Sequence, residues 1–233
     1  VAVKTVGGSV EDMVIKNPVA IKCAFGENPK RVYYEKKAAP MTRMATAALL
    51  REALMKAKRY MERKERVKEE DKQPELDVKM ESLVRVLKKE LPLKAHAHRA
   101  DDIMTALRIA REFDIDMTIE HCTEGHRITE TLVREGRGIV VGPGLTSRSK
   151  YELRDLTFKT PGILSAAGLD IAIMTDHPVI PIQYLPVCAA LAVKEGMDEY
   201  KALEAITINA ARITGIADRV GSLSPGKDAD IAI

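Results

Sequence analysis

Short apolar runs alternate with helical patterns from one end of the chain to the other. The strand-like runs are Val1–Val6, Val19–Phe25, Leu93–Ala97, Met117–Glu120, Gly138–Gly142 and Asp170–Thr175. Most of their positions are apolar, which suits strands covered on both faces. Between them, "DDIMTALRIAREF" puts Ile103, Leu107 and Ala110 on one face and acidic residues in its first turn. "EGHRITETLVREG" closes on Gly136, a helix-ending glycine. "TPGILSAAG" reads as a helix opened by a Thr cap and a proline and stopped by Gly168. Repeated strand–helix units imply a parallel sheet with right-handed crossovers.

One segment departs from that rhythm. Residues 51–82 form a mixed-charge helical stretch, read as a solvated helix inserted between two strands. Both ends lie within strand-like runs, "VAVKTV" and "DADIAI", as expected of a piece of a longer protein.

Composition narrows the class. At 233 residues, with 45% hydrophobic and 30% charged residues, the chain has the makeup of a globular α/β domain. A net charge of +3 from nearly balanced acids and bases does not argue for nucleic acid or a membrane surface. No signal-peptide pattern and no apolar run long enough to span a bilayer is read in these residues. Cys23, Cys122 and Cys188 form no CxxC pair, so a reducing, cytoplasmic setting is expected rather than a disulfide framework.

The candidate chemistry lies in the histidines. None of the five precedes residue 96 or follows residue 177. His96 and His98 end one strand, His121 ends the next with His126 behind it, and His177 follows Asp176 at the end of a third. Three polar clusters at the C-terminal ends of successive strands match the site-bearing face of a (β/α)₈ barrel. The alternative for any one of them is a capping or exposed strand-end residue. Asp176 after "IAIMT" needs a cation or donors if that strand end is buried, and it is the natural general base for hydrolysis. Lys22, within "VAIKCAFGENP", is either a neutral lysine able to form a metal-bridging carbamate or a strand-end lysine that snorkels to water. Arg148 in "VVGPGLTSRSK" could hold an anionic substrate group or lie on the surface. His126 and His177 fall in loops, where substrate contact and plain exposure are both open.

These residues resemble the amidohydrolase superfamily of metal-dependent (β/α)₈ hydrolases. "EAITINAARITGIADRVGSLSPGKDADIAI" is similar to the family's T-x-N-x-A-x-x-x-G segment followed by G-S-L-x-P-G-K-D-A-D. "HAH", "IEH" and "MTDHP" look closest to the imidazolonepropionase-related and prolidase-like branches. The resemblance implies that residues 1–219 are a partial barrel lacking its first strand or strands, and that 220–233 begin a composite β-sandwich. It implies a metal set of His96, His121, Asp176 and Lys22, with His98, His126, Arg148 and His177 contacting substrate. Asp176 would be the catalytic base. One or two divalent metals are implied, with zinc ahead of manganese or iron. The strand-one H-x-H of the family is absent, so the chain alone is expected to hydrolyse weakly or not at all. The implied reaction is hydrolysis of a non-peptide C–N bond, such as a cyclic amide. A prolidase-like dipeptidase, a deaminase and a non-catalytic scaffold are the alternatives. The expected partner is a small molecule, and open strand edges suggest a homo-oligomer.

Overall fold

The computed structural model describes residues 1–67 and 74–231. Strand β1 (Ala2–Val3) pairs antiparallel with β2 (Val14–Lys16), and a one-turn helix α1 (Val10–Met13), capped by Ser9, lies between them. The opening run is thus one arm of a small separate sheet. It does not join the parallel one, because its polar and glycine-rich continuation, "KTVGGS", turns the chain back.

Strands β3 (Ile21–Ala24), β4 (Leu93–Ala97), β5 (Met117–His121), β6 (Ile139–Val141) and β7 (Ile171–Ile173) form one five-stranded sheet in sequence order. Every pairing in it is parallel, the arrangement of part of a (β/α)₈ barrel. Following β3 come α2 (Glu27–Glu35), α3 (Arg43–Arg66) and α4 (Val78–Leu87). Helix α5 (Ala100–Glu112) follows β4, α6 (Thr129–Glu135) follows β5, and α7 (Lys159–Ala166) follows β6. After β7 the chain forms α8 (Leu185–Lys194), α9 (Glu199–Ala205) and α10 (Ile208–Thr214).

The sheet faces differ, contrary to the apolar-throughout reading. Leu93, Ala95, Met117, Ile119, Ile139 and Ile171 lie in one core cluster with Ile103, Leu107 and Ala110 of α5. On the opposite face, register sets Lys22 beside Lys94 and Lys94 beside Thr118. There Lys94 donates to Glu120 at 3.1 Å, and Thr118 donates to the same carboxylate oxygen at 2.5 Å. In a barrel this polar face looks inward. Truncating Leu107 to Ala in the fully buried core would cost about 2–5 kcal/mol.

The charged segment is more than a solvated helix. Helix α3 begins at Arg43 on a Thr42 cap and buries Thr46, Ala47, Leu54 and Ala57, packing against α4 and α5. Residues 68–73 of that segment lie outside the described residues. Gly136 does end α6 in a left-handed conformation, φ 60°. Thr160 does not cap α7; Phe158 holds that position, and the Thr160 hydroxyl is used elsewhere. Residues 220–231 run as turns and loop, so the sandwich strand expected in 220–233 is not formed among the described residues.

Candidate metal centre

Strand alternation builds two thirds of the site. Lys94, His96 and His98 follow one another at every second position, so both histidines leave β4 on the polar face. His121 would by the same alternation point to the helical face. Its backbone instead takes a left-handed conformation, φ 76°, and Cys122 follows at φ 46°. The change of direction brings the ring round to the other two. Ring centroids of His96 and His121 are 4.2 Å apart, those of His98 and His121 4.4 Å, and those of His96 and His98 4.8 Å. One nitrogen from each ring falls within 4.8 Å of the others.

All three are buried. Burial, with His121 beside it, pushes His96 down to about 3, and the same causes push His98 down to about 2. His121 is also lowered, chiefly by burial, against opposing pulls from Asp176 and from its bond to Gly142. Neutral imidazoles are what a cation needs as ligands. The His121 Nδ1–H donates to the Gly142 carbonyl at 2.8 Å, which leaves its Nε2 lone pair free. His98 Nδ1 shares a hydrogen bond of 2.8 Å with Thr123 Oγ1. This donor set fits a divalent transition metal: three buried, neutral nitrogens, two of them oriented through the other ring atom.

Other groups surround the cluster. Asn28 Nδ2 contacts His96 Nε2 at 3.2 Å, and the Asn28 carbonyl oxygen accepts from Lys150 at 2.6 Å. Glu152 is completely buried and lies 3.8 Å from both His98 Nε2 and Lys150 Nζ. Asn28, Lys150, Glu152 and Glu27 are absent from the sequence-level set. Glu27 and Asn28 open α2, and Lys150 and Glu152 lie in the segment after β6, where no periodicity marks them. The one available signal was an acid close to a lysine in "SKYELRD".

The expected residues divide. His96 and His121 converge, and His98 joins them in the metal-capable group rather than standing apart on the substrate side. Asp176 is outside that group. Asp176 lies three residues past the end of β7, exposed, with φ 52°, so it is not the buried strand-end carboxylate expected. Its charge still acts on His121. Lys22 is exposed on the edge strand β3 rather than sunk in an apolar run, and its charge acts on all three histidines. His126 bonds Thr160 Oγ1 at 2.9 Å, and that hydroxyl also donates to the Thr123 carbonyl at 3.3 Å, tying the loop after β5 to α7. Arg148 is exposed and donates to the Leu156 carbonyl at 2.8 Å. His177 is exposed.

Parallel strand–helix units with a polar cluster at the C-terminal strand ends are the arrangement of part of a (β/α)₈ barrel. The chain belongs to the Amidohydrolase family, whose model matches residues 17–233. It is 48% identical to an amidohydrolase from Thermotoga maritima MSB8, superposing with a TM-score of 0.94 over 98% of this chain and 60% of that one. It is 26% identical over 226 residues to amidohydrolase tasK of Hapsidospora irregularis, covering 91% of this chain and 23% of that protein. Against the imidazolonepropionase of Cupriavidus pinatubonensis it is 30% identical over 149 residues, 61% of this chain and 33% of that protein. The chain thus spans between 23% and 60% of the length of these relatives. No helix among the described residues is long and apolar enough to cross a membrane.

Proposed function

We propose that the chain carries part of the site of a metal-dependent hydrolase that cleaves a non-peptide C–N bond, in a cyclic amide. The observation that carries this reading is the buried group His96, His98 and His121, whose ligand atoms lie within 4.8 Å of one another. Similarity to imidazolonepropionase supports the cyclic-amide substrate class. A divalent cation, zinc first, would polarise the scissile carbonyl and acidify water there.

The chain's own residues divide the remaining work. Imidazoles held neutral by burial keep lone pairs available for the cation across the neutral pH range. Asp176, exposed yet acting on His121, takes the proton from the attacking water and returns it to the leaving nitrogen. Lys22, whose charge acts on all three histidines, is the candidate for a second, bridging ligand after carboxylation. His126 and His177, in the loops after β5 and β7, are candidate substrate contacts. Arg148, already bonded to a backbone carbonyl, is the weakest of that group.

The test is metal content by mass spectrometry on the longest natural form of the protein, with His96→Ala and Asp176→Asn alongside. Hydrolysis of a panel of imidazolones, lactams and dipeptides follows by loss of absorbance. One or two equivalents of metal, reduced in His96→Ala, with turnover of a cyclic amide abolished in Asp176→Asn, is the expected result. A folded wild-type protein without metal would sink the reading.

A further inference from the structure

We infer that Glu120 is a positioning residue for the cation site: its carboxylate offsets the positive charge of Lys94 beneath the histidines and so sets how tightly a divalent cation is held. The inference rests on the reading of those histidines as ligands. It starts from the layout of the polar face. Register places Ala24, His96, Glu120, Val140 and Ala172 in one row across the sheet. The next row down holds Lys22, Lys94 and Thr118. In these two rows Glu120 is the sole carboxylate, set against two lysines. A cation seated above them is repelled by every ammonium group left without a counter-charge.

The carboxylate is held firmly. Its Oε1 accepts from Thr118 Oγ1 at 2.5 Å and from Lys94 Nζ at 3.1 Å, and Lys94 also reaches Thr118 Oγ1 at 3.3 Å. The Glu120 side chain is 9% exposed and that of Lys94 19%, so water screens the pair little. A buried ion pair seldom adds stability over apolar side chains of similar volume. The neighbouring strands show the alternative, with Val140 and Ala172 at the matching positions. Stability alone therefore does not account for a charge at this point of β5.

Its place relative to the histidines does. Glu120 is the cross-strand neighbour of His96 and the chain neighbour of His121. Burial acts most strongly on His121, but Glu120 acts on it in the sense that favours positive charge, as Asp176 does, and Lys22 acts in the opposite sense. A divalent cation at the ring nitrogens meets the same field with twice the charge. Glu120 is not itself a ligand: it lies outside the metal-capable group, and its Oε1 is engaged by the row below. It works instead through space, while Lys94 limits how much of its charge the cation meets.

The experiment compares wild type, Glu120→Gln, Lys94→Met and the double variant in the longest natural form of the protein, stripped with chelator. Zinc affinity is measured by competition with a chromophoric chelator, and visible absorption of the cobalt-loaded proteins reads the ligand set. Gln keeps the shape and an acceptor for Thr118 while removing the charge. Zinc affinity weaker by roughly 10–100-fold in Glu120→Gln is expected. Lys94→Met, which leaves the carboxylate uncompensated, should bind zinc several-fold tighter, and the double variant should return close to wild type. The cobalt spectrum should be the same in all four. A pair that merely braces β4 against β5 would weaken binding in both single variants, with no recovery in the double. That pattern, or affinities all within about twofold of wild type, would overturn the inference. So would a shifted cobalt spectrum in Glu120→Gln, which would mean that the coordination itself had changed. Thermal unfolding in chelator shows which variants fold. If Lys94→Met does not, Lys94→Gln is judged by the same sign; if Glu120→Gln does not, tightening or weakening in Lys94→Met decides. A wild-type protein that binds no zinc at all would instead remove the histidine reading on which the inference stands.

Discussion

His121 Nδ1 and the Gly142 carbonyl oxygen are 2.8 Å apart, a bond that joins the ends of β5 and β6. It fixes the tautomer of His121 and turns Nε2 toward His96 and His98. The bond matters because His121 itself is strained, with φ at 76°, in a region non-glycine residues rarely occupy.

Gly142 should therefore be intolerant of any side chain. Its φ is 137°, and a Cβ would collide with the Met174 carbonyl. Gly142→Ala is expected to destabilise the fold by about 1–3 kcal/mol from backbone strain alone. It should also release His121 and lower the metal bound per chain. Urea unfolding and metal analysis on the same preparation check both effects. Full metal occupancy in this variant would mean that the Gly142 bond does not position the ring.

Acid should unfold the metal-free protein early. His96 and His98 sit near 3 and 2 when folded, against 6.5 for an ordinary histidine. Both folded values are depressed, so below pH 6.5 the unfolded chain takes up protons that the folded chain refuses. Their contribution is fully present above that pH and is lost as pH falls toward 3. The slope is about 1.4 kcal/mol per histidine for each pH unit below that point. Urea midpoints between about pH 7 and pH 5 measure it. A flat profile there would contradict the burial of these rings.

Asn28 competes for His96. Its NH₂ group points at His96 Nε2, and Lys150 on the amide oxygen holds it in that orientation. A cation using the same nitrogen must displace the amide. Asn28→Ala is expected to tighten zinc binding by roughly 2- to 12-fold, the worth of one net hydrogen bond. Competition titration checks it. Weaker binding would show that Asn28 assists the site rather than blocking it.

The strands were legible because apolar runs bounded by turns leave few alternatives: β3, β4, β6 and β7 each fall inside an expected run, and β5 extends one residue past its own, to His121. The histidine clustering was legible for the same reason, since it follows strand ends. His98 was placed with the substrate contacts because position alone does not say which rings meet; that depends on the left-handed turn at His121. Asp176 was expected to be buried from the apolar run before it, yet the chain leaves β7 at Ile173, and by Asp176 it is in solvent. Glu152 and Asn28 were out of reach for a different cause. They meet the histidines across more than fifty residues of sequence, through loops whose course no local pattern fixes.

Arg43 and Asp102 provide the last prediction. Asp102, in the first turn of α5, is buried, and Arg43 Nε at the start of α3 reaches its two oxygens at 3.1 and 3.0 Å. Burial pushes the Asp102 carboxyl above its usual range despite the guanidinium, so desolvation outweighs the attraction. The two single substitutions should then differ in cost. Arg43→Met leaves a buried carboxylate with no counter-ion and is expected to destabilise by about 3–5 kcal/mol. Asp102→Asn removes the charge that is expensive to bury, keeps an acceptor for Arg43, and should cost about 1 kcal/mol or less. In the double variant the Asn substitution should recover most of what Arg43→Met lost, a coupling that urea unfolding of the four proteins measures directly. Equal costs for the two single variants, with simple additivity in the double, would show that the pair is screened by solvent and that α3 is held to α5 by its apolar side chains alone.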